Sequence, residues 1–335
     1  MFKILTLKEE KLLTTPDREK YYIELRKYAL NRKLTNTTPG ALTIAPKLKK
    51  VTDWLAGKVT NMLSGGNVKR IASGEENIPE GAAIFAHTHQ GILDNFVWIP
   101  VIPKHCIILH SAVVKKIMVL IQLNTGLILV SKKKEDAQNR INAKLDMIKI
   151  LLKGHSIAYF PESAWNLSPN KLHLPMSYGF LDIARKAEVP VVPVVSEFTY
   201  DASTEKERIT NIHICFGKPL YVGVNDDLSK KYEEYTEAIS TMRWNLIEEK
   251  GLFHREEISV WEYIKYLKGN IRNLERGGID LNAERAHLWS AEDDFWLFHH
   301  INDISFNSKG ELLGTEEEGC GSFALCYLIL SLTVV

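Results

Sequence analysis

From residue 81 onward, short apolar runs alternate with segments of helical periodicity, and this alternation constrains the fold more than any other feature. Each run has the length of a buried strand, and the segments between have the length of crossover helices. The runs predicted to be strands are 82–86, 106–109, 127–131, 156–160, 191–195 and 212–216. The alternation predicts an α/β domain with a mixed, mostly parallel sheet flanked by helices.

Helices are predicted between and after these strands. The clearest is 135–152, in which one face carries apolar residues at helical spacing. Those residues are Ala137, Ile141, Leu145, Ile148 and Leu152. The other predicted helices are 94–99, 112–123, 177–188, 229–250 and 258–271.

The first 70 residues are strongly basic. They hold 15 Lys and Arg against 6 Asp and Glu, whereas the remaining 265 hold 27 against 35, so the net charge of +1 divides into +9 and −8. Two helices are predicted here, at 17–34 and 46–64. The apolar stripe of the second consists of Leu48, Val51, Leu55, Val59 and Met62. Such a helix either lies in a membrane interface or packs on its own core, and the sequence leaves both open.

A basic arm on an acidic body indicates an anionic partner surface, either membrane or nucleic acid. The arm has no recognisable nucleic-acid-binding motif, which favours an anionic membrane and predicts no nucleic-acid partner. No apolar run reaches the ~18–20 residues of a spanning helix. The apolar tail 323–335 is shorter, and a buried strand, an interfacial anchor and a truncated end all remain open for it.

Cysteine usage and the N-terminus indicate the compartment. Cys106, Cys215, Cys320 and Cys326 form neither a CxxC pair nor a disulfide framework. The charged N-terminus shows no secretory signal. We therefore expect a cytoplasmic protein that is peripheral on the inner face of the membrane.

The chemistry is concentrated in residues 81–100. A hydrophobic strand ends at His87 and His89, Gly91 follows, and Asp94 opens the next helix. At a strand-to-helix turn this spacing lets the Asp94 carboxylate accept a hydrogen bond from one imidazole nitrogen of His89, which leaves the other nitrogen as a base. The turn follows a parallel strand, at the edge where α/β folds place their sites. The pattern predicts a His–Asp pair that activates a substrate hydroxyl, with His87 in a supporting role.

Four segments in order resemble the blocks of the lysophosphatidic acid acyltransferase family of glycerolipid acyltransferases. The first is the His-x4-Asp segment, and 126–132 (GLILVSK) is similar to the family's Gly-x-Ile-x-x-x-Arg. The third block, Phe-Pro-Glu-Gly-Thr-Arg in the family, reads FPESAW at 160–165. The fourth, of Val-Pro-Val-Val-Pro-Val type, is VPVVPV at 189–194, and a Gly-Lys-Pro element follows at 217–219.

The resemblance implies acyl transfer from acyl-CoA or acyl-carrier protein to a hydroxyl of a lysophospholipid or related lipid alcohol. It implies His89 as general base, Asp94 as its orienting group, and backbone N–H groups near Gly91 as partners of the oxyanion. The substrate-binding residues that it implies are Gly126, Lys132, Phe160, Pro161, Glu162, Ser163, Trp165 and Pro193. It implies no metal and no cofactor besides the acyl donor.

Two departures concern the acceptor. Lys132 and Trp165 replace arginines that the family associates with the acceptor phosphate, and residues 163–164 read Ser-Ala in place of Gly-Thr. Lysine lacks the bidentate fork that suits phosphate. Other cations available to compensate are Lys133, Lys134 and Lys171. The alternative is an acceptor other than lysophosphatidate, with Trp165 as a wall of its site.

Three regions follow from these patterns. They are a basic amphipathic helical arm at 1–70, a glycerolipid acyltransferase-like α/β domain at 71–250, and a helical extension with an apolar tail at 251–335.

Two other function classes remain as alternatives. One is a membrane-surface lipid-binding protein with an altered site. The other is a metal-dependent hydrolase, since His87 and His89 resemble the start of the H-x-H-x-D-H site of metallo-β-lactamase-type enzymes, although Gly91 and Ile92 stand where Asp and His are needed. Further ligands in that alternative would be Asp293, Asp294, His299 and His300.

Overall fold

The computed structural model describes most of the first 250 residues. The described ranges are 2–37, 40–91, 93–111, 126–131, 136–166, 171–201, 208–250, 305–306 and 312–313. The predicted helices 112–123 and 258–271, residues 132–134, the four alternative metal ligands near residue 300 and the tail 323–335 lie outside the described residues.

Seven strands form one sheet. They are β1 (Lys69–Ser73), β2 (Ile84–His87), β3 (Cys106–Ser111), β4 (Leu127–Val130), β5 (Ser156–Tyr159), β6 (Val191–Asp201) and β7 (Arg208–Phe216). Their order is β1-β7-β6-β2-β5-β3-β4, and every neighbouring pair is parallel except β6 and β7. A separate two-stranded antiparallel ladder joins β8 (Ser305–Phe306) and β9 (Leu312–Leu313). The mixed, mostly parallel sheet is confirmed.

Helices cover this sheet and form the N-terminal arm. They are α1 (Leu7–Lys11), α2 (Thr15–Asn31), α3 (Gly40–Thr43), α4 (Lys49–Leu63), α5 (Asp94–Val97), α6 (Ala137–Leu152), α7 (Gly179–Ala187) and α8 (Leu228–Lys250). Short 3₁₀ turns lie at Ala45–Leu48, Glu75–Asn77 and Ile99–Val101. The predicted helix 46–64 is thus a 3₁₀ turn followed by α4. The α/β fold with N-terminal helices matches the expectation.

Strand β2 is central because it is apolar on both faces. Ile84 pairs with Ile157 of β5 on one side and with Val191 of β6 on the other, both in parallel register. All four residues of β2 are buried, as is typical of a parallel strand covered on both faces. The loop after His87 therefore leaves the middle of the carboxyl edge of the sheet.

Two apolar layers enclose the sheet, and β2 contributes to both. Ile84 and Ala86 pack with α6, α7 and α8 on one face, whereas Phe85 packs with Trp98 on the other. The arm joins the first layer, since Leu25 and Ala29 of α2 lie in the same buried cluster.

A buried ion cluster also ties the arm to the body. Glu10 of α1 bonds Lys186 of α7, and Lys186 lies 3.0 Å from Asp182, with all three side chains almost completely buried. Burial opposes the charge on Asp182, but Lys144 and Lys186 outweigh it and hold the pKa of this carboxyl well below its usual range.

Helix α4 packs on the body through only part of its apolar stripe. Leu55 and Val59 are buried, whereas Val51 and Met62 are exposed. Trp54 adds a ring that is 60% exposed. One side of the helix therefore packs on the core, whereas another presents apolar residues to solvent, and the membrane-interface role stays a prediction. In the described part of the chain, no helix has the length and apolarity needed to cross a membrane.

Candidate active site

The His-x4-Asp segment forms one compact turn at the carboxyl end of β2. His89 lies in the loop after the strand, and Asp94 is the first residue of α5. The His89 Nδ1 and Asp94 Oδ2 atoms are 2.9 Å apart. The His89 side chain is 15% exposed and that of Asp94 is fully buried. The structure therefore places the two side chains as the spacing predicts.

Asp94 organises the loop as well as the imidazole. Its Oδ2 atom also accepts hydrogen bonds from the N–H groups of Gln90 and of Gly91, the latter at 2.9 Å. Burial opposes ionisation of Asp94, but the hydrogen bond from His89 and the neighbouring His87 outweigh it, so its pKa lies below the ordinary value. A charged acceptor at Nδ1 assigns the proton to that nitrogen and leaves Nε2 with its lone pair.

These hydrogen bonds correct one expectation. The N–H groups of Gln90 and Gly91 both donate to Asp94, so these two groups are not free to act as the oxyanion partner that the resemblance implies, and residue 92 lies outside the described residues. The N–H group of His89 is also engaged, because it donates to Glu162.

Glu162 holds the backbone of the loop. Its Oε1 accepts the N–H of His89 at 2.8 Å, and its Oε2 accepts the N–H of Leu174 at 2.7 Å. The carbonyl of His89 accepts the N–H of Asn166 at 2.6 Å, so both backbone polar groups of His89 are fixed. Burial raises the pKa of Glu162 to about 7, although the two backbone hydrogen bonds oppose the rise. With both oxygens engaged inside the protein, Glu162 contacts the backbone of the candidate base.

Two aromatic rings flank the imidazole of His89. The Phe160 ring stacks on it with centroids 4.3 Å apart, and Trp165 meets it edge-on at 6.3 Å. Trp165 is half-buried. The third block therefore places two of its predicted substrate-binding residues directly against the candidate base.

His87 occupies a different environment from His89. Its ring is fully buried and stacks on Trp98 at 5.1 Å, with Phe160 edge-on at 5.8 Å. Burial lowers the pKa of His87 to about 4, which keeps it neutral. Its position under the loop fits the predicted supporting role.

The remaining predicted residues are not all near this centre, because Gly126 directly precedes β4 and so lies at the amino edge of the sheet, opposite to His89. Pro161 is buried, and Ser163 adopts a left-handed backbone with φ 58° at the position where the family has glycine. Pro193 of β6 pairs in register with Ala86 of β2. Gly126 has φ 73°, which favours glycine, and a Cβ there would lie 3.1 Å from the His105 ring, so that ring would have to shift slightly. Lys132 lies outside the described residues.

Sequence reasoning missed a set of buried polar residues behind the loop. Arg243 of α8 forms an ion pair with Glu197 of β6, with Nε and Oε1 2.7 Å apart. Gln90 donates from Nε2 to the carbonyl of Ser196. Arg243 and Glu197 lie outside the four blocks, and Gln90 occupies a variable position of the first block, so the sequence carried no signal for their roles.

No cluster of three or more His, Cys, Asp or Glu side chains placed to hold a metal ion occurs among the residues that the structure describes.

Comparison with known proteins found one family model and a similar solved structure. A search of curated proteins found no match. One similar solved structure is the 1-acyl-sn-glycerophosphate (LPA) acyltransferase PlsC from Thermotoga maritima, with 19% identity, coverage of 72% of this chain and 86% of that chain, and a TM-score of 0.47. The family model described as Acyltransferase matches residues 69–197. This range runs from β1 into β6 and includes the His–Asp pair and Glu162. Residues 69–197 are thus similar to the acyltransferase family, in line with the resemblance of the ordered blocks.

Proposed function

We propose that this acyltransferase moves a fatty acyl group from acyl-CoA or acyl-carrier protein to a hydroxyl of a lysophospholipid or related lipid alcohol. The observation that carries the proposal is the 2.9 Å contact between His89 and the buried Asp94, within the matched domain. A partly exposed base with a fixed tautomer suits activation of a substrate hydroxyl.

In the proposed reaction, Nε2 of His89 removes the proton of the acceptor hydroxyl. The oxygen of this hydroxyl attacks the carbonyl carbon of the thioester at the same time. The C–O bond forms, and the tetrahedral intermediate then collapses with cleavage of the C–S bond. The departing sulfur takes the proton from the imidazolium, which leaves an ester and a free thiol. The negative charge of Asp94 stabilises the imidazolium between these two proton transfers.

The aromatic rings beside His89 support an acceptor with apolar surface next to its hydroxyl. Phe160 and Trp165 present ring faces and edges to the base. In the proposal, Trp165 contacts the acceptor at the place where the family carries arginine.

In the proposal, the protein acts at an anionic membrane surface on the cytoplasmic side, and the exposed side of α4 supports the membrane contact. Its exposed apolar residues are Val51, Trp54 and Met62, and Ile44, just before the 3₁₀ turn that leads into α4, is also exposed. Its exposed lysines are Lys50 and Lys58, and Lys58 lies over the Trp54 ring at 5.6 Å. Tryptophan with lysine is a combination suited to the headgroup region.

Helix α4 is also coupled to the candidate site. Arg70 of β1 donates to Thr60 of α4 at 2.9 Å and to the carbonyl of Phe96 in α5 at 3.3 Å. Because α5 begins at Asp94, a membrane contact through α4 brings a lipid acceptor close to the His–Asp pair.

The activity is tested by incubating the protein with palmitoyl-CoA or palmitoyl-acyl-carrier protein and a panel of lysophospholipids, monoacylglycerol and glycerol 3-phosphate. We expect ester formation and stoichiometric thiol release with at least one lysolipid or lipid alcohol, absent in His89→Ala. Thiol release that is independent of acceptor, or product formation in His89→Ala, contradicts the proposal.

Membrane binding is tested by co-sedimentation with phosphatidylglycerol-containing and neutral vesicles. Trp54→Ala should weaken binding, and added salt should weaken it further because screening reduces the attraction of the lysines. Tyr221→Ala is the matched control, since Tyr221 is also an exposed aromatic residue but lies outside α4. Equal binding of the three proteins would remove α4 from the membrane contact.

A further inference from the structure

Arg243 reaches the candidate site from outside the matched domain. It lies on α8, which follows the sheet, and its side chain is only 1% exposed. Its Nε donates to Glu197 Oε1 at 2.7 Å, and its Nη1 donates to the carbonyls of Lys171 at 3.3 Å and of Leu172. A fully buried guanidinium thus joins a strand of the sheet to the segment 171–174.

Two of these contacts lead to the backbone of His89. The Lys171 carbonyl also accepts from Asn166 Nδ2 at 2.9 Å, and the Asn166 N–H donates to the His89 carbonyl. Leu174, two residues after Leu172, donates to Glu162, which accepts the His89 N–H.

The third contact leads to the residue that follows His89. Glu197 Oε1 lies 3.4 Å from Nε2 of Gln90, which also donates to the carbonyl of Ser196. Arg243 is therefore the point where three hydrogen-bonded routes to the His89 loop meet, although it does not touch the imidazole.

Arg243 also acts on Glu162 through its charge. Burial raises the pKa of Glu162, the Arg243 cation opposes that rise, and the Asp94 anion adds to it. Tyr232 and Tyr235 of α8 also face this carboxyl, and burial raises both of their pKa values, so they are neutral. The ionised carboxylate holds both N–H groups more strongly than the protonated carboxyl does, because hydrogen bonds to an ionised acceptor are stronger.

We propose that Arg243 is a positioning residue for the acyl transfer proposed above, and that it fixes the His89 loop through residues 171–174 and Glu197. This inference rests on the proposed function. It adds a required element from α8, beyond the residues that the family model matches.

Two variants distinguish the effect of the hydrogen-bond geometry of Arg243 from the effect of its charge. Arg243→Lys keeps the cation but loses the fork that contacts carbonyls and carboxylate together. Arg243→Gln combined with Glu197→Gln removes both charges and so leaves no buried ion unpaired. We expect kcat to fall roughly 10- to 100-fold in both, because a misplacement of about 1 Å costs this much, while KM for the acyl donor changes less than about threefold.

The pH dependence distinguishes positioning from a purely structural role. In Arg243→Gln/Glu197→Gln the acid limb of kcat should move to higher pH, because Glu162 loses the cation that favours its ionised form. In Arg243→Lys the limb should stay near its wild-type position. Arg185→Gln is the control, since Arg185 is a buried arginine that pairs with Asp182 at 2.9 Å in the cluster of α7. It should lower the melting temperature without moving kcat or the limb.

A wild-type kcat in the folded double variant, or a lower kcat with an unmoved acid limb, overturns the proposal. His89→Ala is measured alongside. If His89→Ala is inactive while the Arg243 variants behave as wild type, the proposed function stands and only the role of Arg243 fails. If His89→Ala retains activity, the proposed function itself fails.

Discussion

Replacing Asp94 by Asn removes one buried charge and leaves the hydrogen-bond geometry intact. All three hydrogen bonds described for this side chain go to Oδ2, from His89 Nδ1 and from the N–H groups of Gln90 and Gly91. The Oδ1 atom has no hydrogen-bond partner among the described residues. An asparagine whose oxygen takes the Oδ2 position keeps all three bonds, so Asp94→Asn isolates the effect of the charge.

The size of the effect follows from the distance. The Nδ1 and Oδ2 atoms are 2.9 Å apart, and the pair is shielded from solvent on the Asp94 side. For charge centres about 4 Å apart at an effective dielectric constant of about 20, the attraction is about 4 kcal/mol. Because the imidazolium exists only after proton transfer, this stabilisation is lost from the transition state, and kcat should fall about 10³-fold.

The assay is acceptor-dependent thiol release from palmitoyl-CoA under saturating conditions, with folding checked by circular dichroism. Asp146→Asn is the matched control, because Asp146 is also fully buried and accepts the N–H groups of Thr35 and Asn36, at 2.8 and 2.7 Å, away from the site. It should lose stability with kcat unchanged. If folded Asp94→Asn works within about tenfold of wild type, the electrostatic account of the pair is wrong.

Two further predictions concern stability. Ser163→Gly should raise the free energy of unfolding by about 0.5–1 kcal/mol, since it relieves the φ of 58°, whereas Ser163→Ala should give no gain; chemical denaturation measures both. Gly74→Ala should lower it by about 2 kcal/mol or more, because φ is 72° and the new Cβ would lie 2.1 Å from the Phe216 carbonyl oxygen. Gly81→Ala meets nothing within 4 Å and should stay within about 0.5 kcal/mol of wild type; the reverse order of these two glycine variants would contradict the argument.

The buried parallel strands were predictable because a strand that is covered on both faces has apolar residues along its whole length, and such a run is visible in the sequence. The strand β1 was missed, since KRIAS carries charges and becomes a strand only through its pairing with β7 at the edge of the sheet. Strands β6 and β7 extend beyond the predicted 191–195 and 212–216, because their polar ends pair with each other in an antiparallel ladder. Neither segment by itself predicts this pairing.

The same distinction applies to the site. The His89–Asp94 contact was predictable because both residues lie in one turn, whose spacing fixes their distance. The contact between Glu162 and the His89 backbone depends on the folding of two distant segments, and so does the ion pair of Arg243 with Glu197. Residue spacing carries no information on such contacts, so the sequence assigned Glu162 to the substrate and gave Arg243 no role.

The proposed function depends above all on His89 as the general base of acyl transfer. The most direct measurement is kcat for wild type and His89→Ala on the best acceptor of the panel, with His155→Ala as control. His155 precedes β5 and therefore lies at the amino edge of the sheet, opposite to His89. The account predicts a loss of roughly 10²- to 10⁴-fold in His89→Ala and no loss in His155→Ala. Comparable kcat values for wild type and folded His89→Ala would contradict it.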